Sequence, residues 1–147
     1  DPLLTTQQDH VEIVNAICQE FSNLPADCAL ILMGHGTSHY ANDVYAALDY
    51  RFKDLGFSNI HLATVEGYPT LENVTRMVKE QEAKKVILAP FMIVAGDHAR
   101  NDMSGDDEDS WKNQFRAAGY DVECRMKGLG EYPAIQDMLI RHVTEVC

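Results

Sequence analysis

The chain has 147 residues, 46 % of them hydrophobic, and a formal charge of −11. That length fits one domain with one substantial core, and the acidic balance excludes a surface built to wrap a phosphate backbone or to lie on an anionic bilayer, since both need a basic face. No apolar run approaches the ~18 residues of a membrane-spanning helix, and no signal-peptide pattern opens the chain.

In chain order, Asp1 to Thr6 reads as an extended arm, and Gln7 to Phe21 carries Val11, Val14, Ile17, Cys18 and Phe21 at helical spacing. Ser22-Asn23-Leu24-Pro25 stops that helix, because proline cannot continue it. The uncharged run Cys28 to Met33 predicts a buried strand that ends at Gly34-His35-Gly36, a turn whose glycines allow tight backbone angles. Ser38 is placed to cap a helix running to about Leu55, with Val44, Leu48, Phe52 and Leu55 on one stripe and Gly56 as its stop. A second strand, Ile60 to Glu66, leads through Gly67-Tyr68-Pro69 to a helix over 70–82 that buries Leu71, Val74 and Val78.

The third strand, Val86 to Val94, is almost continuously apolar and so is expected to be covered on both faces. A polar loop follows, then a helix from Asp109-Ser110 with Trp111, Phe115 and Ala118, stopped by Gly119. Asp121 to Met126 predicts a short last strand, Gly128 to Glu131 a turn, and Pro133 the start of a final helix with Ile135, Met138, Leu139, His142 and Val143 inward. Strands alternating with helices give an α/β fold, a four-stranded parallel sheet sandwiched by helices. The four cysteines form no C-x-x-C pair, and Cys28 and Cys124 read as small buried residues that stay reduced.

His35, Glu66 and His98 follow the first three strands. In the common strand order 2-1-3-4 those strands are neighbours, so the three side chains can meet at the carboxyl edge where open α/β sheets bind ligands. Two imidazoles and a carboxylate suit a divalent first-row metal with open coordination positions, unlike a closed structural zinc site. A lone turn histidine is more often only a hydrogen-bonding residue; the joint pattern favours the metal. Asp97, Asp102 and Thr37 are candidates to hold the ring nitrogens that a metal leaves free.

Other readings stay open. The Gly34 to Ser38 turn resembles loops that cradle a phosphate on backbone amides, as in a flavodoxin-like electron carrier, but no G-x-G-x-x-G is present. It also resembles the R-H-G-x-T turn of histidine phosphatases, with Gly34 where their arginine would stand. Asp97, Asp102, Asp106, Asp107, Glu108 and Asp109 form an acidic segment that solvates and favours the amino end of the Trp111 helix, or else funnels cations. His39, Tyr40 and Tyr68 flank the loops and could touch a large ligand. His10, His61 and His142 show no clustered partner and receive no role.

Met33-Gly34-His35-Gly36-Thr37-Ser38-His39, Val65-Glu66-Gly67-Tyr68-Pro69 and the stretch from Val94 to Met103 together resemble the class II chelatases of the anaerobic sirohydrochlorin cobaltochelatase (CbiK) type. Gly105-Asp106-Asp107, Asp109-Ser110-Trp111 and Gly128-Leu129-Gly130-Glu131 extend the likeness over nearly the whole chain from Cys28 onward. The resemblance implies a flavodoxin-like chelatase lobe and a lyase that inserts a divalent metal into sirohydrochlorin without ATP. The metal is its substrate, Co²⁺ first and Fe²⁺ or Ni²⁺ as further candidates, in cobalamin or sirohaem biosynthesis. It carries the family's ligand set onto His35, Glu66 and His98, with His35 as base and ligand and Glu66 as charge compensator or proton relay. Arg100 and the amides around Gly34 and Gly36 would meet the substrate's carboxylates.

Members of this family have two similar lobes enclosing the tetrapyrrole, so this chain resembles the carboxyl-terminal lobe (28–147) preceded by a linker arm and helix (1–27). The start at Asp1 rather than Met agrees with a fragment or processed product, whose second wall would be an amino-terminal lobe or another copy of the chain. Cytoplasmic placement is expected, or periplasmic if a signal peptide has been removed. A metal or tetrapyrrole delivery module without turnover would use the same ligands.

Overall fold

A parallel sheet of four strands, β1 (Cys28–Gly34), β2 (Ile60–Thr64), β3 (Lys85–Pro90) and β4 (Asp121–Cys124), runs through the molecule in the order β2-β1-β3-β4. It is seen in a computed structural model that describes residues 6–36, 38, 42–92 and 99–146. Five α-helices flank the sheet: α1 (Gln7–Glu20), α2 (Asp43–Asp54), α3 (Leu71–Glu80), α4 (Trp111–Ala117) and α5 (Pro133–Val146). The expected architecture and strand order are both present.

The side-chain alternation of β1 explains the layering. Cys28, Leu30 and Leu32 point into one core with Ile13, Val14 and Ile17 of α1, Leu48 and Phe52 of α2, and Ile135 and Met138 of α5. Ala29, Ile31 and Met33 point into the other core, with Val74 and Val78 of α3 and Trp111 and Phe115 of α4. Every residue of β1 is therefore buried, as an uncharged central strand requires. The helix starts are chemically marked. Thr6 and Asp9 close a capping box on α1, Thr70 and Asn73 close one on α3, and the Ser110 hydroxyl accepts from the amide of Asn113 at the head of α4.

Four expectations need correction. Helix α2 starts at Asp43, not at Ser38, which is an exposed bend residue. Leu55 leaves the apolar stripe because it is the C-cap of α2, where the chain turns into Gly56 at φ 92°, and it is exposed. The segment read as a polar loop contains a π-helical turn, Ala99–Met103, whose Met103 is fully buried against the α3/α4 side. On α5, Ile135 and Met138 are buried, but Val143 is exposed. It lies roughly 80° round the helix from Ile135, at the margin of the stripe. The side chain of His142 lies outside the described residues.

Strand β2 is an edge strand, and its outward peptide groups are covered by side chains rather than left to solvent. Lys53 on α2 donates to Asp49 Oδ1 at 2.8 Å and to the Ile60 carbonyl at 2.9 Å, and the Leu62 amide donates to the same Asp49 oxygen at 2.9 Å. Further along, the Thr64 amide donates to the Pro69 carbonyl at 2.7 Å.

Candidate metal site at the carboxyl edge of the sheet

The parallel ladder between β1 and β2 does not stop at the last paired residues, Gly34 and Thr64. The Val65 amide donates to the Gly34 carbonyl and the Glu66 amide to the His35 carbonyl, both at 3.0 Å. These two bonds place the residues after the two strands side by side. His35 Nε2 then lies 3.7 Å from Glu66 Oε2, with the side chains 50 % and 59 % exposed. An exposed pair of this kind adds little to stability, but its open faces leave room for a third ligand and an incoming group.

The glycines flanking His35 are required by close approach. A Cβ on Gly34 would lie 2.5 Å from the Tyr45 ring. Gly36 has φ +81°, and a Cβ there would meet the Gly67 nitrogen and Thr64 Cβ at 2.7 Å each. Thr64 completes the interlock: its hydroxyl accepts from the Gly67 amide and donates to the Pro69 carbonyl, both at 3.0 Å. The loop bearing His35 thus seats in a notch of the loop bearing Glu66.

Of the three expected ligands, the described residues bring His35 and Glu66 together. His98 lies outside the described residues, as do Thr37, His39, Tyr40, Asp97 and the side chain of Arg100. Among the described residues no cluster of three or more His, Cys, Asp or Glu assembles a metal site. Asp102 belongs to the π-helical turn. Tyr68 is exposed beside Glu66. In the turn read as a phosphate cradle, the Gly36 amide donates to the Tyr45 hydroxyl at 3.4 Å, and α2 begins at Asp43. In the acidic segment, Asp106, Asp107, Glu108 and Asp109 are exposed. The carbonyls of Asp106 and Asp107 accept from Asn113 of α4, and Lys112 pairs with Asp106 at 3.8 Å.

His61, expected to have no partner, has two. It is fully buried, with Nδ1 3.3 Å from Lys53 Nζ and Nε2 2.9 Å from Gln81 Oε1. An ammonium only donates, so Nδ1 accepts and Nε2 carries the proton toward Gln81. Burial, followed by the Lys53 charge, pushes its pKa below the ordinary histidine value. This imidazole is kept neutral as part of the β2 edge cover. His10 is also buried, and its Nδ1 has no hydrogen-bond partner among the described residues. Burial raises the thiol pKa of Cys18 to about 11 and those of Cys28 and Cys124 above the usual value; Cys18 and Cys28 are buried, whereas Cys124, expected to be buried, is only half-buried.

The model of the cobalt chelatase (CbiK) family matches residues 1–147. The sirohydrochlorin cobaltochelatase of Salmonella typhimurium is 39 % identical over 142 residues, covering 97 % of this chain and 53 % of its own. Sirohydrochlorin cobaltochelatase CbiKC of Nitratidesulfovibrio vulgaris is 33 % identical over 147 residues, covering 97 % and 51 %. The chain thus spans about half the length of these curated relatives. Among solved structures, the CbiX protein from Marinobacter aquaeolei shares the fold with a TM-score of 0.56 at 21 % identity, over 80 % of this chain and 94 % of that one. DR2241 from Deinococcus radiodurans, a multi-domain protein with similarity to chelatases, gives 0.60 at 18 % identity over 88 % and 28 %. With a family match along its full length, this chain belongs to the cobalt chelatase (CbiK) family.

Proposed function

We propose that this chain carries the metal-binding wall of a chelatase that inserts Co²⁺ into sirohydrochlorin without ATP, with His35, Glu66 and His98 as ligands of the substrate metal. The observation that carries this reading is the His35–Glu66 pair, 3.7 Å apart on the open carboxyl edge of two adjacent strands, in a chain of this family. The chemistry fits the donors. Two pyrrole protons must leave as the ion enters, a neutral imidazole is a competent acceptor near neutral pH, and a carboxylate offsets the charge of the ion. Exchangeable coordination positions are needed because the ion must be handed on. No helix among the described residues is long and apolar enough to cross a membrane. Cytoplasmic placement is in keeping with the free thiols Cys18, Cys28 and Cys124.

A flat tetrapyrrole on a single open wall can be neither bent nor kept in register, so turnover calls for a second wall. That half is supplied by a further lobe or by a second copy of the chain, in keeping with relatives about twice as long. The test has two parts. Titration with Co²⁺, followed by visible absorption, should show a site that His35→Ala, Glu66→Gln and His98→Ala each weaken; unchanged spectra and affinity in all three would end the ligand assignment. The rate of sirohydrochlorin metallation should be low for this chain as a verified monomer and high for a two-lobed relative under equal metal. Equal rates per site would show that one wall suffices.

A further inference from the structure

We propose that Asn42 is a positioning residue for Glu66, holding the loop 66–69 in the place from which the carboxylate meets His35; this rests on the reading of His35 and Glu66 as ligands of the substrate metal. Asparagine at a helix start ordinarily turns its side chain onto the amides of its own first turn. Asn42 stands at the N-cap of α2 but does not do so: its backbone is helical, φ −62° and ψ −21°, and its side chain makes no cap bond. Its Nδ2 instead donates to the Tyr68 carbonyl at 2.6 Å, across 26 residues of sequence. The residue is only 7 % exposed, so this amide is built into the structure and does not sweep through solvent.

The same amide packs flat on the residue that follows Glu66. A Cβ on Gly67 would lie 2.2 Å from Asn42 Oδ1 and 2.8 Å from its Cγ, so glycine is needed there for the contact to exist. The loop is then fixed from three directions. The Glu66 amide donates to the His35 carbonyl, the Gly67 amide to the Thr64 hydroxyl, and the Tyr68 carbonyl accepts from Asn42. The first two tie it to the ends of β1 and β2, and only the third ties it to α2. The Glu66 side chain is half-exposed, so the backbone beneath it decides where its carboxylate starts. Groups that orient a ligand in this way commonly change metal affinity about ten- to a hundredfold when removed.

The experiment measures Co²⁺ affinity of the 147-residue chain by visible absorption, with thermal unfolding of every variant beside it. Asn42→Ala should weaken Co²⁺ about tenfold, and by no more than about twofold in the Glu66→Gln background, because a residue acting through Glu66 is not additive with its loss. Gly67→Ala supplies a second variant, since its methyl displaces the Asn42 amide and should weaken Co²⁺ by a similar factor. Asn42→Ala vacates that space, so the double variant should bind no worse than Asn42→Ala alone. Loss of the same size in both Glu66 backgrounds, or a neutral Asn42→Ala in a protein that Glu66→Gln weakens, overturns the positioning role alone. A wild-type protein indifferent to both His35→Ala and Glu66→Gln overturns the ligand reading and this inference with it.

Discussion

Replacing Gly36 by alanine should unlock the two loops that carry His35 and Glu66, and its cost can be worked from two contributions. The first is conformational: at φ +81° an L-residue is strained by about 1–2 kcal/mol. The second is steric. The new methyl would lie 2.7 Å from the Gly67 nitrogen and from Thr64 Cβ, which are backbone and the root of a buried side chain and cannot swing aside. Overpacking of this kind costs about 1–3 kcal/mol, so the combined loss is about 2–5 kcal/mol. For a domain of this size the midpoint of thermal unfolding should fall by roughly 5–15 °C. Gly56 and Gly119 provide the control, with φ +92° and +98° and nothing within 4 Å of an added Cβ. Alanine there pays only the strain, partly offset by a stiffer unfolded chain. Urea or thermal melts of the three variants should rank Gly36→Ala well below the other two, and Co²⁺ affinity should fall in Gly36→Ala alone. If the three are equally destabilised, the notch does not lock the loops and the argument for their shared register fails.

Two further outcomes are expected. Folding holds the pKa of His61 below its unfolded value of about 6.5. Between those two values the unfolded chain binds the extra proton. This contribution to stability is therefore complete above about pH 6.5 and is lost as pH falls from there toward the folded value. Urea melts over neutral to mildly acidic pH should be flatter for His61→Gln than for the wild type, and parallel curves would remove His61 from the cause. Cys18, with its thiol pushed up to about 11, should resist iodoacetamide in the native protein and react once unfolded. Peptide mapping reads this directly, and equal labelling in both states would contradict its burial.

What the sequence disclosed and what it withheld divide along a physical line. The strands, the cores and the position of His35 and Glu66 follow from short-range signals: an uncharged run in β1, helical spacing in α1 and α3, and glycines where the chain turns. The start of α2 is not legible in the sequence because Ser38 carries a cap-forming hydroxyl, whereas the boundary residue, Asn42, spends its side chain on Tyr68. Nothing local marks that choice. His61 looked isolated for the same reason. Its partners Lys53 and Gln81 come from two helices, and their convergence depends on β2 lying at the edge of the sheet. The π-helical turn after β3 has no sequence period to announce it.

The pairing of His35 with Glu66 is delivered by backbone, not by packing of the side chains themselves. Both are half-exposed, and the register of β1 against β2 decides that the residue after Gly34 faces the residue two beyond Thr64. In a parallel sheet a slip of one residue turns every side chain to the opposite face. Such a slip would carry Glu66 away from His35 while leaving each strand as apolar as before. The polar cover on the outer edge of β2 therefore reaches the site. Asp49 and Lys53 bind the peptide groups of Leu62 and Ile60 in one register only, and Thr64 fixes the strand end through Gly67 and Pro69. A neutral, buried His61 beside Lys53 belongs to the same device, which is why a residue of β2 outside the His35–Glu66 pair bears on whether those two side chains meet.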